Sequence, residues 1–154
     1  MLFKMESIDN TFSVENAEDS SGFLLWQVTS LWQRKIRDSL KQYDLTHSQY
    51  VLLTCLHWLK LHGQEVTQIV LSSNSKIDPM TTSTVLRTLQ KKGLIQRKED
   101  LADTRAKKID ITEQGKEIIK KAVVTVETVD KEFFALLGDT ADKFNETLVA
   151  LIKQ

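Results

Sequence analysis

The sequence predicts a mostly α-helical domain that carries one small two-stranded β hairpin. Apolar residues recur at spacings of three and four along most of the 154 residues, which is the periodicity of amphipathic helices. Strand-like alternation is confined to two short segments, 94–98 and 107–111. With only one proline and five glycines, the chain favours long helices over a β sandwich or barrel.

The first predicted helix follows an acidic segment. Residues 1–19 contain one basic and five acidic residues and show no periodicity, so we expect an N-terminal arm. Ser20 or Ser21 is placed to cap a helix that begins near Phe23. We therefore divide the chain into the arm and a single domain over residues 20–154.

The second helix begins with a capping box formed by Thr46 and Gln49. Residues 50–59 (YVLLTCLHWL) are apolar nearly all round, which predicts a buried helix that ends at His62–Gly63. A short third helix is predicted over Thr67–Ser72, and the polar stretch SSNSKI after it reads as a turn.

The fourth helix has clear start and stop signals. Asp78 is a good N-cap, Pro79 suits the first helical position, and Gly93 is a natural residue just after the last turn at Lys92. Three apolar residues form the predicted inner stripe: Val85, Leu86 and Leu89. Five residues form the predicted outer face: Met80, Thr81, Ser83, Thr84 and Arg87.

The hairpin and two further helices complete the order. Strands are predicted at Leu94–Lys98 and Lys107–Ile111. Thr112 caps a long apolar-striped helix, Gly138 breaks it, and Asp139 is expected to cap the last helix. A short helix, a turn, a helix and a hairpin in this order make a winged helix-turn-helix with a two-stranded β wing.

The charge distribution indicates nucleic-acid binding by this part of the chain. The formal net charge is zero, yet residues 76–108 contain nine basic and four acidic residues. A local basic patch on a neutral protein is the electrostatic pattern of a DNA-binding surface, although solvated charge runs are also common. We expect phosphate contacts from a set of lysines: Lys91, Lys92, Lys98, Lys107 and Lys108.

These motifs resemble the MarR family of winged-helix transcriptional regulators. The matching residues are Leu45-Thr46 with Gln49, the run 89–95 (LQKKGLI) with Arg97, Asp103-x-Arg105-Ala106, and Ile111-Thr112-x-x-Gly115. The resemblance covers roughly residues 20–152. It implies a cytoplasmic homodimeric repressor without a cofactor. Terminal dimerisation helices, about 20–41 and 113–152, would flank a DNA-binding lobe of about 45–112.

The resemblance also implies functional residues. Arg105 would enter the minor groove, with Asp103 orienting it, while the recognition helices of the dimer read a pseudo-palindromic double-stranded operator. Thr84 and Arg87 depart from the commoner family pattern, so the operator cannot be transferred from relatives. A small aromatic or lipophilic effector would bind in a cleft lined by Trp26, His47, Tyr50 and Trp58, which are equally suited to core or dimer packing.

Other functional classes are less well supported by the residues. Cys55 lies in an apolar run, where a thiol usually packs as a small core residue, and the three histidines lack the spacing of a metal site. No catalytic motif and no membrane-spanning run is present in the sequence. Two alternatives remain open: a winged-helix protein-interaction module that does not bind DNA, and a redox- or metal-responsive regulator of the same fold.

Overall fold

The computed structural model describes residues 11–98 and 107–154. The helices are α1 (Ser21–Leu40), α2 (His47–Leu61), α3 (Gln68–Ser75), α4 (Pro79–Lys91), α5 (Glu113–Phe133) and α6 (Ala141–Ile152), and the strands are β1 (Ile95–Lys98) and β2 (Lys108–Ile111). The mostly helical winged helix-turn-helix predicted from the sequence is confirmed. Within the described ranges, no helix is long and apolar enough to cross a membrane.

Residues 1–34 and 35–154 form two compact units, so that the first unit ends within α1. In the first unit, the Ser20 hydroxyl oxygen accepts a hydrogen bond from the Phe23 amide at 3.3 Å and so caps α1. The acidic segment ahead of it includes a 3₁₀ turn at Ala17–Asp19, which Asn16 and Asp19 close with reciprocal hydrogen bonds. This turn is a local structure that the aperiodic sequence did not predict.

The core of the second unit is built around α2. Leu52, Leu53 and Leu56 of this helix are fully buried, as its nearly uniform apolar sequence predicts. Helices α3, α4 and α5 and strand β2 all pack against α2. Each of these neighbours contributes buried apolar side chains: Leu71, Leu86, Leu89, Ile109, Ile111, Ile119 and Val126. Burial of this apolar surface is the main stabilising term of the lobe.

The predicted caps of the lobe are confirmed. The Thr46 hydroxyl accepts from the Gln49 amide, and the Gln49 side chain accepts from the Thr46 amide, both at 3.2 Å. The side chain of Asp78 caps α4, and that of Thr112 caps α5. These local hydrogen bonds satisfy backbone donors that a helix start leaves without partners.

Helix α3 is longer than the sequence predicted, because it continues through Ser75 and includes most of the presumed turn. Polar side chains stabilise this extension. Asn74 Nδ2 donates to the Val70 carbonyl oxygen at 2.8 Å, and Ser72 Oγ donates to the Ile77 carbonyl oxygen at 2.6 Å. The helix ends at Lys76, whose φ of 61° is left-handed. The polar composition had suggested a turn because the same side chains also favour turns.

The β wing is the predicted hairpin: its strands are antiparallel, with Ile95 paired with Ile111 and Arg97 paired with Ile109. Each strand is one residue shorter than predicted, since Leu94 and Lys107 lie outside the ladder. The Ile109 amide also donates to the Val66 carbonyl oxygen at 2.8 Å, which ties β2 to the segment before α3. The stem of the wing is therefore fixed to the helical core.

The start of α6 corrects one prediction. Helix α5 ends at Phe133, before Gly138, and Gly138 with its φ of 51° instead interrupts the 3₁₀ segment that follows. Asp139 does not cap α6. A 3₁₀ turn over Ala135–Thr140 leads directly into α6, and Thr140 already has right-handed helical angles. An N-cap needs an extended backbone, so this junction has no place for a capping side chain.

Gly115 provides a stability test of the junction between β1, β2 and α5. A Cβ at this position would lie 2.2 Å from the Leu94 carbonyl oxygen and 2.8 Å from Ile111 Cγ1. We expect Gly115→Ala to lower the free energy of unfolding by about 1–3 kcal/mol through overpacking, as measured by urea denaturation. Gly22→Ala is the control, because a Cβ there meets no atom within 4 Å. Equal effects of the two substitutions would contradict this account.

Candidate nucleic-acid interface

Helix α4 presents two distinct faces. Its inner face consists of Leu86 and Leu89, as predicted, together with Thr82, which is fully buried although the sequence analysis left it out. The Thr82 hydroxyl donates to the Ile77 carbonyl oxygen at 3.3 Å, so that its polar group is satisfied within the core. Val85 is half-buried at the edge of this face. One face of α4 thus packs against the core, and the opposite face is exposed to solvent.

The outer face of α4 carries most of the predicted DNA contacts. Met80, Thr84, Arg87 and Lys91 follow one another at intervals of four, three and four residues, and all four are exposed. At this spacing they form one stripe along the helix. The large apolar side chain of Met80 is 81% exposed. Of the flanking residues, Thr81 is exposed on one side and Ser83 is half-buried on the other.

The hydroxyl groups of this face already donate hydrogen bonds within the helix. Thr81 Oγ1 donates to Asp78 Oδ2 at 2.6 Å, and Thr84 Oγ1 donates to the Met80 carbonyl oxygen at 3.2 Å. A hydroxyl oxygen retains two lone pairs while its hydrogen is engaged. In this conformation the two threonines are therefore prepared to accept hydrogen bonds, for example from an amino group on a base edge.

The predicted phosphate-contacting lysines fall into two groups. Lys91, Lys98 and Lys107 are exposed, and none of the ion pairs described for residues 11–98 and 107–154 involves them. Lys108, in contrast, forms an ion pair with Glu65 at 2.7 Å, and Lys92 bonds to Gln49 Oε1 at 3.1 Å and to Asp44. The ammonium groups of the second group are thus already engaged within the lobe.

Arg97, one of the residues that carry the resemblance to the MarR family, lies in β1. Its Nε and Nη2 atoms are buried and have no hydrogen-bond partner among the described residues. Burial lowers the pKa of the Arg97 guanidinium, and the positive charge of Arg87 lowers it further. This arginine therefore adds positive potential beside the outer face of α4. Asp103 and Arg105, the predicted wing-tip pair, lie outside the described residues.

The predicted effector residues occupy different environments. One face of α2 carries three of them: His47, Tyr50 and Trp58. Tyr50 is buried, His47 is half-buried, and Trp58 is 63% exposed. The Trp58 ring packs against the His62 ring with a distance of 4.3 Å between the ring centroids. Burial lowers the pKa of His47 although Asp130 opposes the shift, and burial raises the pKa of Tyr50. Trp26 belongs to the first unit, where it is 72% exposed.

A cavity in the second unit is chemically different from this aromatic face. It has a volume of about 500 Å³ and is lined by Lys35, Asp38, Val129, Glu132 and Phe133. None of the predicted effector residues lines it. Its three charged side chains suit a polar occupant better than an aromatic or lipophilic one.

Cys55 is half-buried in α2, and burial raises the pKa of its thiol. A raised pKa reduces the fraction of thiolate, which is the form that reacts with oxidants. Within the part of the chain that the structure describes, histidine, cysteine and acidic residues form no group of three or more suited to a metal ion. Neither observation favours the redox- or metal-responsive alternative.

Comparisons with known proteins identify this arrangement. Residues 41–130 match the family model of the ArnR1-like winged-helix domain. The HTH-type transcriptional regulator YdcH of Bacillus subtilis (strain 168), itself uncharacterised, is 47% identical over 116 residues, which are 75% of this chain and 79% of YdcH. The chain belongs to the ArnR1-like winged-helix family. It is a transcriptional regulator of the winged-helix type, and its relatives are regulators rather than enzymes.

Solved structures show the same fold. CouR from Rhodococcus jostii RHA1, bound to p-coumaroyl-CoA, has a TM-score of 0.79 at 24% identity, covering 90% of this chain and 95% of CouR. The MepR–DNA complex from S. aureus has a TM-score of 0.79 at 23% identity, covering 87% of this chain and 97% of MepR. Further structural neighbours are MarR-family regulators. The fold that the resemblance to the MarR family implied is thus confirmed.

The cap of α4 generates a prediction about stability and pH. The Asp78 carboxylate accepts hydrogen bonds from the Thr81 hydroxyl and amide, which lowers the pKa of Asp78. Because the bound form is the ionised one, this stabilisation is present at neutral pH and is lost as the pH falls through the lowered pKa. We expect Asp78→Ala to lower the thermal unfolding temperature at pH 7.

The control for this prediction is Asp78→Asn, which keeps an uncharged oxygen acceptor. Its thermal unfolding temperature at pH 7 should lie closer to that of the wild-type protein. The difference between Asp78→Ala and the wild type should shrink as the pH falls. A difference that stays constant from neutral pH into acid would show that the carboxylate does not act as the cap.

Proposed function

We propose that this chain is a sequence-specific repressor that inserts α4 into the major groove of double-stranded DNA. The observation that carries the proposal is the exposed stripe of Met80, Thr84, Arg87 and Lys91 on a helix whose opposite face is buried. The major groove of B-DNA is about 12 Å wide and accepts one α helix. Arg87 suits a guanine or a phosphate, and Met80 suits a thymine methyl group.

The β wing extends the proposed contact surface. Lys98 is the last residue of β1, Lys107 directly precedes β2, and both are exposed, so both are placed to contact phosphates. On the sequence, Arg105 is the residue we propose for the minor groove, oriented by Asp103. Phosphate contacts of this kind supply affinity and salt dependence, whereas the stripe on α4 supplies sequence preference.

We propose further that the regulator acts as a homodimer. In the first unit, α1 exposes several apolar side chains, and three of them lie on one face at intervals of four and three residues: Leu24, Val28 and Leu31. In the second unit, α6 exposes Val149, Leu151 and Ile152. A monomer rarely leaves such surfaces uncovered, and a second copy of the chain is the partner that the family resemblance implies. Two recognition helices would then read two related half-sites of one operator.

A small-molecule effector is the third part of the proposal. CouR, a structural neighbour, has been solved with p-coumaroyl-CoA bound. In this chain the half-buried His47, buried Tyr50 and exposed Trp58 combine polar atoms with aromatic surface, which suits a small aromatic or lipophilic molecule. A ligand that binds better to a dimer with altered helix spacing would lower operator affinity by shifting the population of conformations.

Selection of bound duplexes from a random DNA library tests the proposed function. The expected product is a pseudo-palindrome whose half-sites are centred about 10–10.5 base pairs apart or a multiple of that spacing. Arg87→Ala should bind this duplex about 10-fold more weakly or worse and tolerate substitutions at one position of each half-site. Lys143→Ala, on exposed α6, is the control and should bind like the wild type. Absence of any enriched sequence would refute the proposal.

The homodimer has its own test in sedimentation velocity at micromolar concentration. We expect a dimer for the wild type and a monomer for Leu31→Glu, because the substitution places a charge on the exposed apolar face of α1. Leu61→Glu is the matched control, since Leu61 is 69% exposed and Leu31 is 52% exposed. A wild-type monomer, or loss of the dimer in both variants, would contradict the assignment of this surface.

A further inference from the structure

Lys92 lies at the C-terminal end of the recognition helix, next to a lysine of the exposed stripe, but its side chain turns into the lobe. Its Nζ atom donates to Gln49 Oε1 at 3.1 Å and to the Asp44 carbonyl oxygen, and it lies 3.3 Å from Asp44 Oδ2. The side chain of Lys92 is only 28% exposed. The ammonium group therefore has at least two close acceptors within the protein.

The acceptors of Lys92 belong to the junction between α1 and α2. Gln49 is buried, and the same Oε1 atom that meets Lys92 also accepts from the Thr46 amide in the capping box. Asp44 has a left-handed φ of 51° and directly follows the 3₁₀ turn Lys41–Tyr43 at the end of α1. The side chain of Lys92, the residue that directly follows α4, thus contacts both the first turn of α2 and the turn that ends α1.

The same junction is tied to α5 by Tyr43. Its hydroxyl group lies 2.5 Å from Thr125 Oγ1 and donates to the Lys121 carbonyl oxygen at 3.3 Å. Residues 43–49 are thus bound on one side to the long helix α5 and on the other side to the end of α4. Any change in the direction of α4 relative to α5 must alter at least one of these hydrogen bonds.

We propose that Lys92 is a positioning residue that fixes the direction of the recognition helix through Asp44 and Gln49, and that it is not a phosphate contact. This inference rests on the proposed DNA-binding function. Charge-assisted hydrogen bonds to well-placed oxygen atoms are strong and directional, so the link resists rotation of α4. To reach a DNA phosphate, Lys92 would have to break this link.

Salt dependence separates the two roles of a lysine. A lysine that neutralises a phosphate releases a counterion, and its loss reduces the slope of log affinity against log salt concentration by about 1. The loss of a lysine that only orients the helix lowers the affinity for DNA by the same factor at every salt concentration. We expect Lys92→Met to bind the selected operator about 10-fold more weakly, which is a loss of about 1.4 kcal/mol of binding free energy. The slope of log affinity against log salt concentration should not change.

Lys91→Met is the matched control, because Lys91 is the exposed neighbour in the same helix turn. It should reduce the slope by about 1. Gln49→Leu keeps the charge of Lys92 and removes its buried acceptor. It should therefore lower the affinity by the same factor at every salt concentration, as Lys92→Met does. In the double variant the two effects should not add, because both substitutions remove one contact.

Thermal unfolding establishes that each variant is folded at the temperature of the binding assay. If Lys92→Met does not fold, the salt dependence of Gln49→Leu is compared with that of Lys91→Met. This comparison then decides whether Lys92 positions the helix or contacts a phosphate. A reduced slope in Lys92→Met, unchanged affinity in both variants, or additive effects in the double variant would overturn the inference. If the wild-type protein binds no duplex, the proposed function fails instead, and the two failures are thereby distinguished.

Discussion

The structure depends on a close contact where α4, the β wing and α5 meet. After α4 the chain turns at Gly93, whose φ of 74° is left-handed, and Leu94 enters the core. The Thr112 hydroxyl donates to the Gly93 carbonyl oxygen at 2.7 Å, and the Thr112 amide donates to the Leu94 carbonyl oxygen at 3.1 Å. Gly115 approaches the same carbonyl so closely that no side chain fits between them. The end of α4 and the start of α5 are consequently fixed by one set of contacts.

This arrangement explains how a few lysines serve two purposes in the lobe. Lys92 and Lys108 stabilise links between elements that are distant in sequence, whereas Lys91, Lys98 and Lys107 leave their charges in solvent. An exposed charge acts at long range through solvent, whereas an ammonium group with acceptors inside the protein stabilises the packing of the elements that it joins. The basic patch that the sequence indicates is therefore smaller at the surface than its composition suggests, because part of its charge is used in contacts within the lobe.

Local signals were sufficient to predict most of the fold. Capping boxes, the Asp78-Pro79 helix start and the left-handed Gly93 depend on neighbouring residues, so a linear sequence reveals them. The partners of Lys92 could not be predicted, because Asp44 and Gln49 lie more than 40 residues away and meet it only through packing. The burial of Thr82 was not predicted for a related reason: only the folded chain supplies the Ile77 carbonyl oxygen that accepts from its hydroxyl.

The central claim is that α4 lies in the major groove, and protection of guanine N7 from dimethyl sulfate tests it most directly, since that atom is exposed in the major groove. The measurement uses the wild-type protein and the duplex that it binds best. We expect protected guanines in two major-groove segments on one face of the duplex, about one helical turn apart. Binding without any protection of guanines within the bound sequence would contradict the account.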